Sequence, residues 1–200
     1  MQYARDHNLV YFQHRESLLA HKMLDHLKGV EIGASAQNPF KLNALNIDYT
    51  DDYTTPFKQA EKLTSGTYAK VDIVAPGDQL PLADNSVDYV ISSHVIEHFY
   101  DPIKTIKEWL RVVRPGGYVY FIVPHKERTF DKDRPRTPLA ELIDRHEHPD
   151  PPIPDNHVAH YSVWITQDFE ELCNHMGWKI VAVQDVDDKV GNGFTVVVQK

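Results

Sequence analysis

The fold is constrained most by a regular alternation of short β-rich runs with amphipathic helical segments. The predicted strands cover residues 30–33, 42–47, 69–75, 87–92 and 118–123, and the predicted helices cover 15–28, 56–66, 102–113, 137–146 and 166–176. Alternation of this kind predicts a doubly wound α/β fold, in which a parallel sheet carries helices on both faces. Two last runs, Lys179–Val186 and Phe194–Gln199, flank a glycine-rich turn and therefore predict a C-terminal antiparallel hairpin.

The composition excludes several classes of protein. The chain has 200 residues and a formal net charge of -8, which argues against nucleic-acid binding through bulk phosphate attraction. Cys173 is the single cysteine, so no intramolecular disulfide can form, and this fits a reducing cytoplasm. No run approaches the roughly 20 apolar residues that span a bilayer, and the first residues lack a signal-peptide core. We therefore expect one cytoplasmic domain, residues 1–200, with neither a nucleic-acid nor a membrane partner.

Acidic residues follow the ends of the first two predicted strands. Glu31 opens the small-residue turn from Gly33 to Ala36, where a ligand can approach the backbone closely. Asp48 lies 17 positions after Glu31, near the spacing expected for an acid that accepts hydrogen bonds from ribose hydroxyls. Because parallel strands end at the same edge of a sheet, the two acids predict a nucleoside-bearing ligand there.

A third acidic residue falls in the third predicted strand. Asp72 is followed by the apolar Ile73, so its carboxylate can accept a hydrogen bond from an adenine amino group while Ile73 packs on the ring. Asp78 competes for the same role. Each acid alone could be an ordinary solvated side chain, and it is their order on successive strands that favours a site.

These segments and those that follow resemble a known family. The run Val30–Ala36 is similar to the first motif of the class I S-adenosylmethionine-dependent methyltransferases, and Leu80–Val90 is similar to the segment that leads into their fourth strand. Three later blocks resemble the small-molecule subgroup with a methyltransferase domain of type 11, namely Ser92–His98, Glu108–Val113 and Arg114–Gly117. The resemblance covers residues 28–124, about half of the chain.

The resemblance implies a Rossmann-like, mostly parallel, seven-stranded sheet that binds S-adenosylmethionine and releases S-adenosylhomocysteine. The cofactor-binding residues that it implies are Glu31, Gly33, Ala34, Ser35, Asp48, Tyr49, Asp72, Ile73, Ser93 and His94. The chain departs from the family pattern because Ser35 and Gln37 stand where the second and third glycines usually occur. We therefore expect the loop after the first strand to follow a different course.

Two other functions compete with methyl transfer. A dinucleotide-dependent dehydrogenase would need the pattern G-x-G-x-x-G at the start of a helix, whereas this loop has one glycine and then Asn38-Pro39. A non-catalytic module that binds S-adenosylmethionine or regulates a partner would keep the fold without turnover. Gln37 is the residue that favours this second alternative.

The acceptor is expected to be a small polar molecule that is methylated on oxygen, such as a sugar or a secondary-metabolite hydroxyl or carboxylate. Such a hydroxyl must lose a proton, and histidine is the usual base near neutral pH. The candidate bases are His125, His157 and His160, and the candidate acceptor-binding residues are His98, Arg128 and Tyr161. We expect residues 126–165 to form a lid on the acceptor side, whose basic residues either grip an anionic acceptor or are simply solvated.

The histidines of that segment also allow a metal. The low-probability ligands are His146, His148, His157 and His160, which could bind a transition metal through their imidazoles. Their spacing in a proline-rich loop fixes no geometry, so our prediction is an enzyme without a metal, and metal-assisted transfer remains the alternative. Because 200 residues leave little room for a substrate domain, a homodimer that completes the pocket is a further expectation.

Overall fold

A computed structural model describes residues 12–149 and 160–200. Its strands form one seven-stranded sheet in the order β3-β2-β1-β4-β5-β7-β6. The strands are β1 Gly29–Ile32, β2 Ala44–Asp48, β3 Ile73–Val74, β4 Val87–Ser93, β5 Val113–Pro124, β6 Lys179–Gln184 and β7 Gly193–Gln199. Neighbours from β3 to β5 pair in parallel, and β7 runs antiparallel between β5 and β6. The predicted doubly wound sheet and its closing antiparallel pair are confirmed.

Two of the five helices in the described residues begin with a side-chain cap. The five helices are α1 Leu18–Leu24, α2 Pro56–Ser65, α3 Pro102–Val112, α4 Leu139–Glu147 and α5 Thr166–His175. The Asp101 side chain accepts a hydrogen bond from the Lys104 backbone and so caps α3, while Ser17 caps α1 in the same way. Gly66 ends α2 in the left-handed conformation at φ 77°.

Two strands differ in length from their predictions. β3 was expected over 69–75 but consists of Ile73–Val74, because it pairs with only the last two residues of β2. β5 begins at Val113, five residues before the predicted start at Tyr118, and includes the Pro-Gly-Gly sequence that was expected to separate helix from strand. Val113 pairs with Val87 across a register shift in β4, which accommodates the irregular sequence.

The connection between β1 and β2 has no helix. Residues 33–43 cross between these parallel neighbours in 11 residues, close to the shortest length that such a crossover usually needs. The sheet face that a helix would cover is packed instead by Phe40 and by α1. The Phe40 ring contacts Tyr120 edge-on, and the Tyr120 hydroxyl lies 3.1 Å from the Ser17 hydroxyl.

The two faces of the sheet carry separate hydrophobic clusters. The larger cluster lies under α3, α4 and α5, where the fully buried rings of Trp109, Phe121 and Phe169 stack or meet edge to face. The smaller cluster lies under α1 and includes Tyr89 and Ile91.

Within 12–149 and 160–200, no helix has the length and apolar character that crossing a membrane requires.

Candidate active site

A cavity of about 1330 Å³ opens at the carboxyl ends of β1, β2 and β4. Ligands of open parallel sheets bind at this edge, where the strand order reverses. The order reverses here between β1 and β4, since β2 and β3 lie on one side and β5 on the other. Of the residues predicted to bind the cofactor, those that line the cavity are Gly33, Ala34, Ser35, Asp48, Tyr49, Ser93 and His94.

The loop after β1 is held by hydrogen bonds from its neighbours. The Gly33 backbone donates to the Ile47 carbonyl at 2.9 Å, and the Ala34 backbone donates to Asn46 Oδ1 at 3.0 Å. Gly33 has φ +68°, and an added Cβ would lie 3.1 Å from Val95 Cγ2. Glycine is therefore needed both for the backbone conformation and for the approach of Val95.

Gln37 shows how the loop tolerates the loss of glycine. Its side chain accepts a hydrogen bond from Thr64 on α2, and its backbone carbonyl accepts from the His14 backbone at 2.8 Å. Next to it, Asn38 Nδ2 donates to Ser93 Oγ at 3.0 Å and ties the loop to the end of β4. The segment before α1 thus covers the loop, and His14 adds to the cavity lining.

Asp48 is paired with a buried lysine. Asp48 Oδ2 lies 2.8 Å from Lys58 Nζ, and Lys58 Nζ lies 3.5 Å from Glu61 Oε2, with all three side chains at most 8% exposed. Burial by itself would lower the pKa of Lys58, but the hydrogen bond and charge of Asp48, together with Glu61, outweigh it and raise that pKa. Lys58 is therefore charged, and it holds one oxygen of Asp48 at the cavity wall.

His94 lies at the end of β4 in a strained conformation. Its φ is +55°, a left-handed value that is costly for a residue other than glycine. Its backbone donates to the Ile122 carbonyl at 2.9 Å, and its Nε2 atom is buried without a hydrogen-bond partner. Burial lowers the pKa of His94 to about 4, so the ring is neutral at pH 7. A neutral ring at this wall avoids repulsion of a cationic ligand.

A carboxylate and two histidines meet on another wall of the cavity. Glu97 Oε1 lies 3.8 Å from His98 Nε2 and 3.9 Å from His160 Nε2. Glu97 is fully buried, and neither of its carboxylate oxygens has a hydrogen-bond partner in the described part of the chain. Burial raises its pKa to about 8. Asp131 Oδ2 lies 2.6 Å from the other ring nitrogen of His160. We call Glu97, His98, His160 and Asp131 the Glu97 cluster.

Sequence reasoning singled out His98 and His160 but missed Glu97 and Asp131. Glu97 was visible only as one letter of the block Ser92–His98, and nothing in the sequence indicated that its carboxylate would be buried. Asp131 lies in a polar loop and becomes a partner of His160 only through the tertiary fold. The usable signal for Glu97 was an acid and a histidine side by side just past β4.

Three predicted cofactor residues do not line the cavity. Asp72 accepts a hydrogen bond from the Asn46 backbone at 3.0 Å and pairs with Lys70, so it clamps β3 to β2. Ile73 lies in β3 outside the lining. Glu31 is partly exposed on β1, also outside the lining, and burial raises the pKa of its carboxyl to about 8. Asp78, the competing candidate for adenine, does line the cavity.

His125 is also outside the cavity lining. Its Nδ1 accepts a hydrogen bond from the Glu127 backbone at 3.1 Å, its ring packs edge-on against Phe194, and burial lowers its pKa. These contacts give His125 a capping role at the end of β5, which argues against the predicted role of base. His157 lies outside the described residues.

The histidines of the insert do not gather around one point. His146 lies 2.9 Å from Asp101 Oδ2 and 2.8 Å from Lys107 Nζ, while His148 is exposed and pairs with Asp144. Neither belongs to the group that the structure brings within metal-binding distance among the described residues, which is Glu97, His98 and His160. His157, the fourth histidine of the alternative, lies outside the described residues, so the insert-histidine alternative stays untested.

The predicted acceptor-binding residues His98, Arg128 and Tyr161 all line the cavity. The Arg128 guanidinium donates to Asp185 and to the Gly193 carbonyl, and its Nε atom is buried without a partner. The other basic residues of 126–136 that are paired with acids are Lys126, Arg134 and Arg136. Of the basic residues in 126–136, Arg128 is the one that lines the cavity.

Comparison with known proteins identifies the family of this chain. Residues 30–121 match the model of a methyltransferase domain, and these residues contain β1, β2, β4 and most of the cavity walls. The chain belongs to the class I S-adenosylmethionine-dependent methyltransferases.

Individual relatives agree with this assignment. A probable S-adenosylmethionine-dependent methyltransferase of Mycolicibacterium smegmatis is 33% identical over 137 residues, which are 68% of this chain and 49% of that protein. A malonyl-acyl-carrier-protein O-methyltransferase of a Marinomonas species is 45% identical over 49 residues, 24% of this chain and 18% of that protein. The chain thus spans about half or less of the length of these curated relatives.

Solved structures share the fold of this methyltransferase. One comes from the complex between the Haloferax volcanii Trm112 methyltransferase activator and a methyltransferase, with TM-score 0.56, 16% identity, and coverage of 88% of this chain and 84% of that one. Another is a methyltransferase of Thermotoga maritima described as a possible histamine N-methyltransferase, with TM-score 0.54, 17% identity, and coverage of 100% and 94%. At these identities the likeness extends to the fold alone.

Proposed function

We propose that the protein transfers the methyl group of S-adenosylmethionine to an oxygen atom of a small polar acceptor, such as a hydroxyl or carboxylate of a sugar or secondary metabolite. The observation that carries this proposal is one cavity at the carboxyl ends of β1, β2 and β4. Its lining includes the Gly33 turn, Asp48 and His94 on one side, and Glu97, His98 and His160 of the Glu97 cluster on another. One part of the cavity thus suits a nucleoside with a cationic sulfur, and another suits a proton-bearing acceptor.

The residues along the first part fit the cofactor. Gly33 lacks a Cβ that would meet Val95, and His94 Nε2 is a buried polar atom without a hydrogen-bond partner among residues 12–149 and 160–200. We assign the ribose hydroxyls to Asp48 and the adenine amino group to Asp78, because carboxylates accept from such donors. The neutral His94 borders the sulfur, where a charged ring would repel the cofactor.

When bound, S-adenosylmethionine supplies a methyl group on a positively charged sulfur, and its transfer forms a carbon–oxygen bond, breaks the carbon–sulfur bond and leaves S-adenosylhomocysteine. The protein mainly positions the acceptor for this displacement. A hydroxyl acceptor must also lose its proton, and we assign that task to the Glu97 cluster. Asp131 fixes the His160 ring so that its Nε2 atom is directed towards Glu97.

Residues 126–165 are proposed to cover the acceptor. Arg128 and Tyr161 come from this segment and line the cavity, and the Tyr161 backbone donates to the Glu97 carbonyl at 2.8 Å. The names of the relatives mention both an O-methyltransferase and an N-methyltransferase, so they do not choose between acceptors. The assignment of oxygen rests on the proton-accepting groups of the Glu97 cluster.

The proposal is tested by transfer of a radiolabelled methyl group to a panel of hydroxyl, carboxylate and amine compounds. We expect the wild type to place the label on an oxygen acceptor and the variant His160→Ala to lose this transfer. The matched control is His175→Ala, an exposed residue of α5, which should transfer like the wild type. Label on amines alone would reject the oxygen assignment. Binding of S-adenosylhomocysteine without transfer to any compound would favour the non-catalytic alternative.

A further inference from the structure

The Glu97 cluster has the donor set of a metal site. A carboxylate oxygen of Glu97 and one ring nitrogen each of His98 and His160 lie within 4.8 Å of one another. Two imidazoles and one carboxylate suit divalent transition metals and match a donor set found in catalytic zinc sites. The distances from Glu97 Oε1 to the two nitrogens, 3.8 and 3.9 Å, exceed the roughly 3.4 Å between ligands of a filled tetrahedral site. Small side-chain rotations can close that gap.

The burial of Glu97 is an independent observation that points to a cation. Its side chain is fully buried, and the residues that the structure describes offer neither carboxylate oxygen a hydrogen-bond partner. A buried carboxyl group with no partner is costly, and such groups in native proteins usually have a bound ion, a water or a functional role. Glu97 lines the cavity, so a bound ion can reach it.

The contacts around His160 resemble the outer layer of a metal site. Asp131 Oδ2 lies 2.6 Å from His160 Nδ1, while Asp131 Oδ1 accepts from Arg134 at 2.6 Å. Arg134 also donates to the His160 carbonyl at 2.8 Å. A carboxylate on one ring nitrogen commonly orients the other towards a metal. Here the other nitrogen, Nε2, is the one nearest to Glu97.

We propose that Glu97, His98 and His160 bind one divalent transition-metal ion of the zinc or manganese class, with Asp131 as the residue that positions His160. Of the four insert histidines considered in the sequence analysis, the proposed set keeps His160 and adds Glu97 and His98. The ion's remaining coordination positions face the cavity that all three ligands line. With the ion bound, His160 Nε2 is a ligand and no longer a base, so the ion would instead lower the pKa of a bound acceptor hydroxyl. That role rests on the proposed methyl transfer, whereas metal binding itself does not.

The test uses the full chain without a histidine tag, stripped with a chelator and titrated calorimetrically with ZnCl₂ and with MnCl₂. We expect one ion per chain for at least one metal. Both Glu97→Gln and His160→Ala should weaken binding at least tenfold, and Asp131→Asn should weaken it about 10- to 100-fold. The matched control is His148→Ala, an exposed histidine of the same segment, which should bind like the wild type.

Each other outcome has a defined meaning. The proposal is overturned if no ion binds at one per chain, if either Glu97→Gln or His160→Ala keeps wild-type affinity, or if His148→Ala alone loses it. Titration of every variant with S-adenosylhomocysteine reports whether its cofactor site is folded. Protein that binds S-adenosylhomocysteine but no metal rejects this inference alone. Protein that binds metal but no S-adenosylhomocysteine rejects the proposed methyl transfer alone.

Discussion

At the scale of single residues, the choice of substitution at Asp48 depends on its buried partner. Its pairing with the buried Lys58 means that removing the carboxylate by Asp48→Ala would leave a lysine charge buried without its nearest partner. Removing one partner of a buried ion pair commonly costs about 3–5 kcal/mol of stability. A weaker cofactor complex of that variant would therefore mix damage to the fold with loss of a ligand contact.

Asp48→Asn reduces the damage to the fold, because the amide keeps the size and one oxygen that can still accept a hydrogen bond from Lys58. We expect it to weaken S-adenosylhomocysteine binding at least about tenfold, since a hydrogen bond to a charged group contributes roughly 1.5–3 kcal/mol. Calorimetric titration measures the change, and Asp51→Asn, an exposed neighbour, is the matched control. Equal affinities of Asp48→Asn and wild type would refute the ribose assignment.

Gly33 gives a second prediction at this scale. Gly33→Ala should cost about 1–2 kcal/mol of stability through its left-handed backbone, and its Cβ should also press on Val95 and weaken S-adenosylhomocysteine binding. Gly177→Ala is the matched control, because Gly177 has φ +70° and an added Cβ meets nothing within 4 Å. Thermal denaturation and calorimetry should show similar destabilisation in both variants but weaker binding only in Gly33→Ala.

The sequence identified some site residues and missed others for a definite reason. Gly33, Asp48 and His94 follow the ends of predicted strands, and the common edge of a parallel sheet brings such residues together whatever the loops do. Glu97 and Asp131 depend on how a loop folds back onto β4, and no periodicity encodes that contact. Burial, which the sequence does not display, is what distinguishes them.

At the scale of elements, α3 is tied to the loop before β4 by Glu108. Glu108 Oε1 accepts from the Leu80 backbone at 2.6 Å, and both carboxylate oxygens accept from Arg111. The hydrogen bond from Arg111 is the largest cause that lowers the pKa of Glu108 below its usual value of 4.5, although burial opposes it. A lowered folded-state pKa means that the ionised carboxylate stabilises the protein above pH 4.5 and that this contribution is lost as the pH falls further.

Glu108→Gln should therefore lower the free energy of unfolding by about 1–3 kcal/mol at pH 7. The difference from wild type should shrink as the pH drops below 4.5, because the wild-type carboxyl group then becomes protonated too. Urea unfolding at several pH values measures it, and Glu171→Gln on exposed α5 should stay within about 0.5 kcal/mol of wild type throughout. A difference that grew towards acid pH would contradict this account.

The elements themselves were predicted well where one local pattern decides them. α2 and α3 both begin at a proline, and each ends within a residue of its predicted end. β4 ends one residue after its predicted end. β3 is shorter than its apolar run because only Ile73 and Val74 pair with β2, although β2 extends over three further residues. β5 is longer because Val113 can pair with Val87 across a bulge. Both differences arise from neighbours that are distant in sequence.

At the scale of the whole molecule, different residues stabilise the core and line the cavity. Phe169 on α5 is fully buried and contacts the rings of Phe121, Trp164 and Phe194, yet it does not line the cavity. Phe169→Ala should cost about 3–5 kcal/mol of stability. The folded fraction should bind S-adenosylhomocysteine with wild-type affinity, as calorimetry below the melting temperature can show.

Leu63→Ala provides the matched control, because Leu63 lies on α2 with 65% of its surface exposed. It should change stability by less than about 0.5 kcal/mol. A large loss of S-adenosylhomocysteine affinity in Phe169→Ala, with the fold intact, would mean that the core and the cavity are coupled.

The homodimer and the cytoplasmic location expected from the sequence stay predictions. Size-exclusion chromatography with light scattering measures the oligomeric state.

The central claim is that this cavity binds the methyl donor for transfer, and one titration tests it most directly. Calorimetry of the full chain with S-adenosylhomocysteine should give one site per chain with a dissociation constant in the micromolar range or below. The Asp48→Asn variant, measured in the same way, should bind at least about tenfold more weakly. Absence of any binding heat with the wild type at high micromolar ligand would contradict the account.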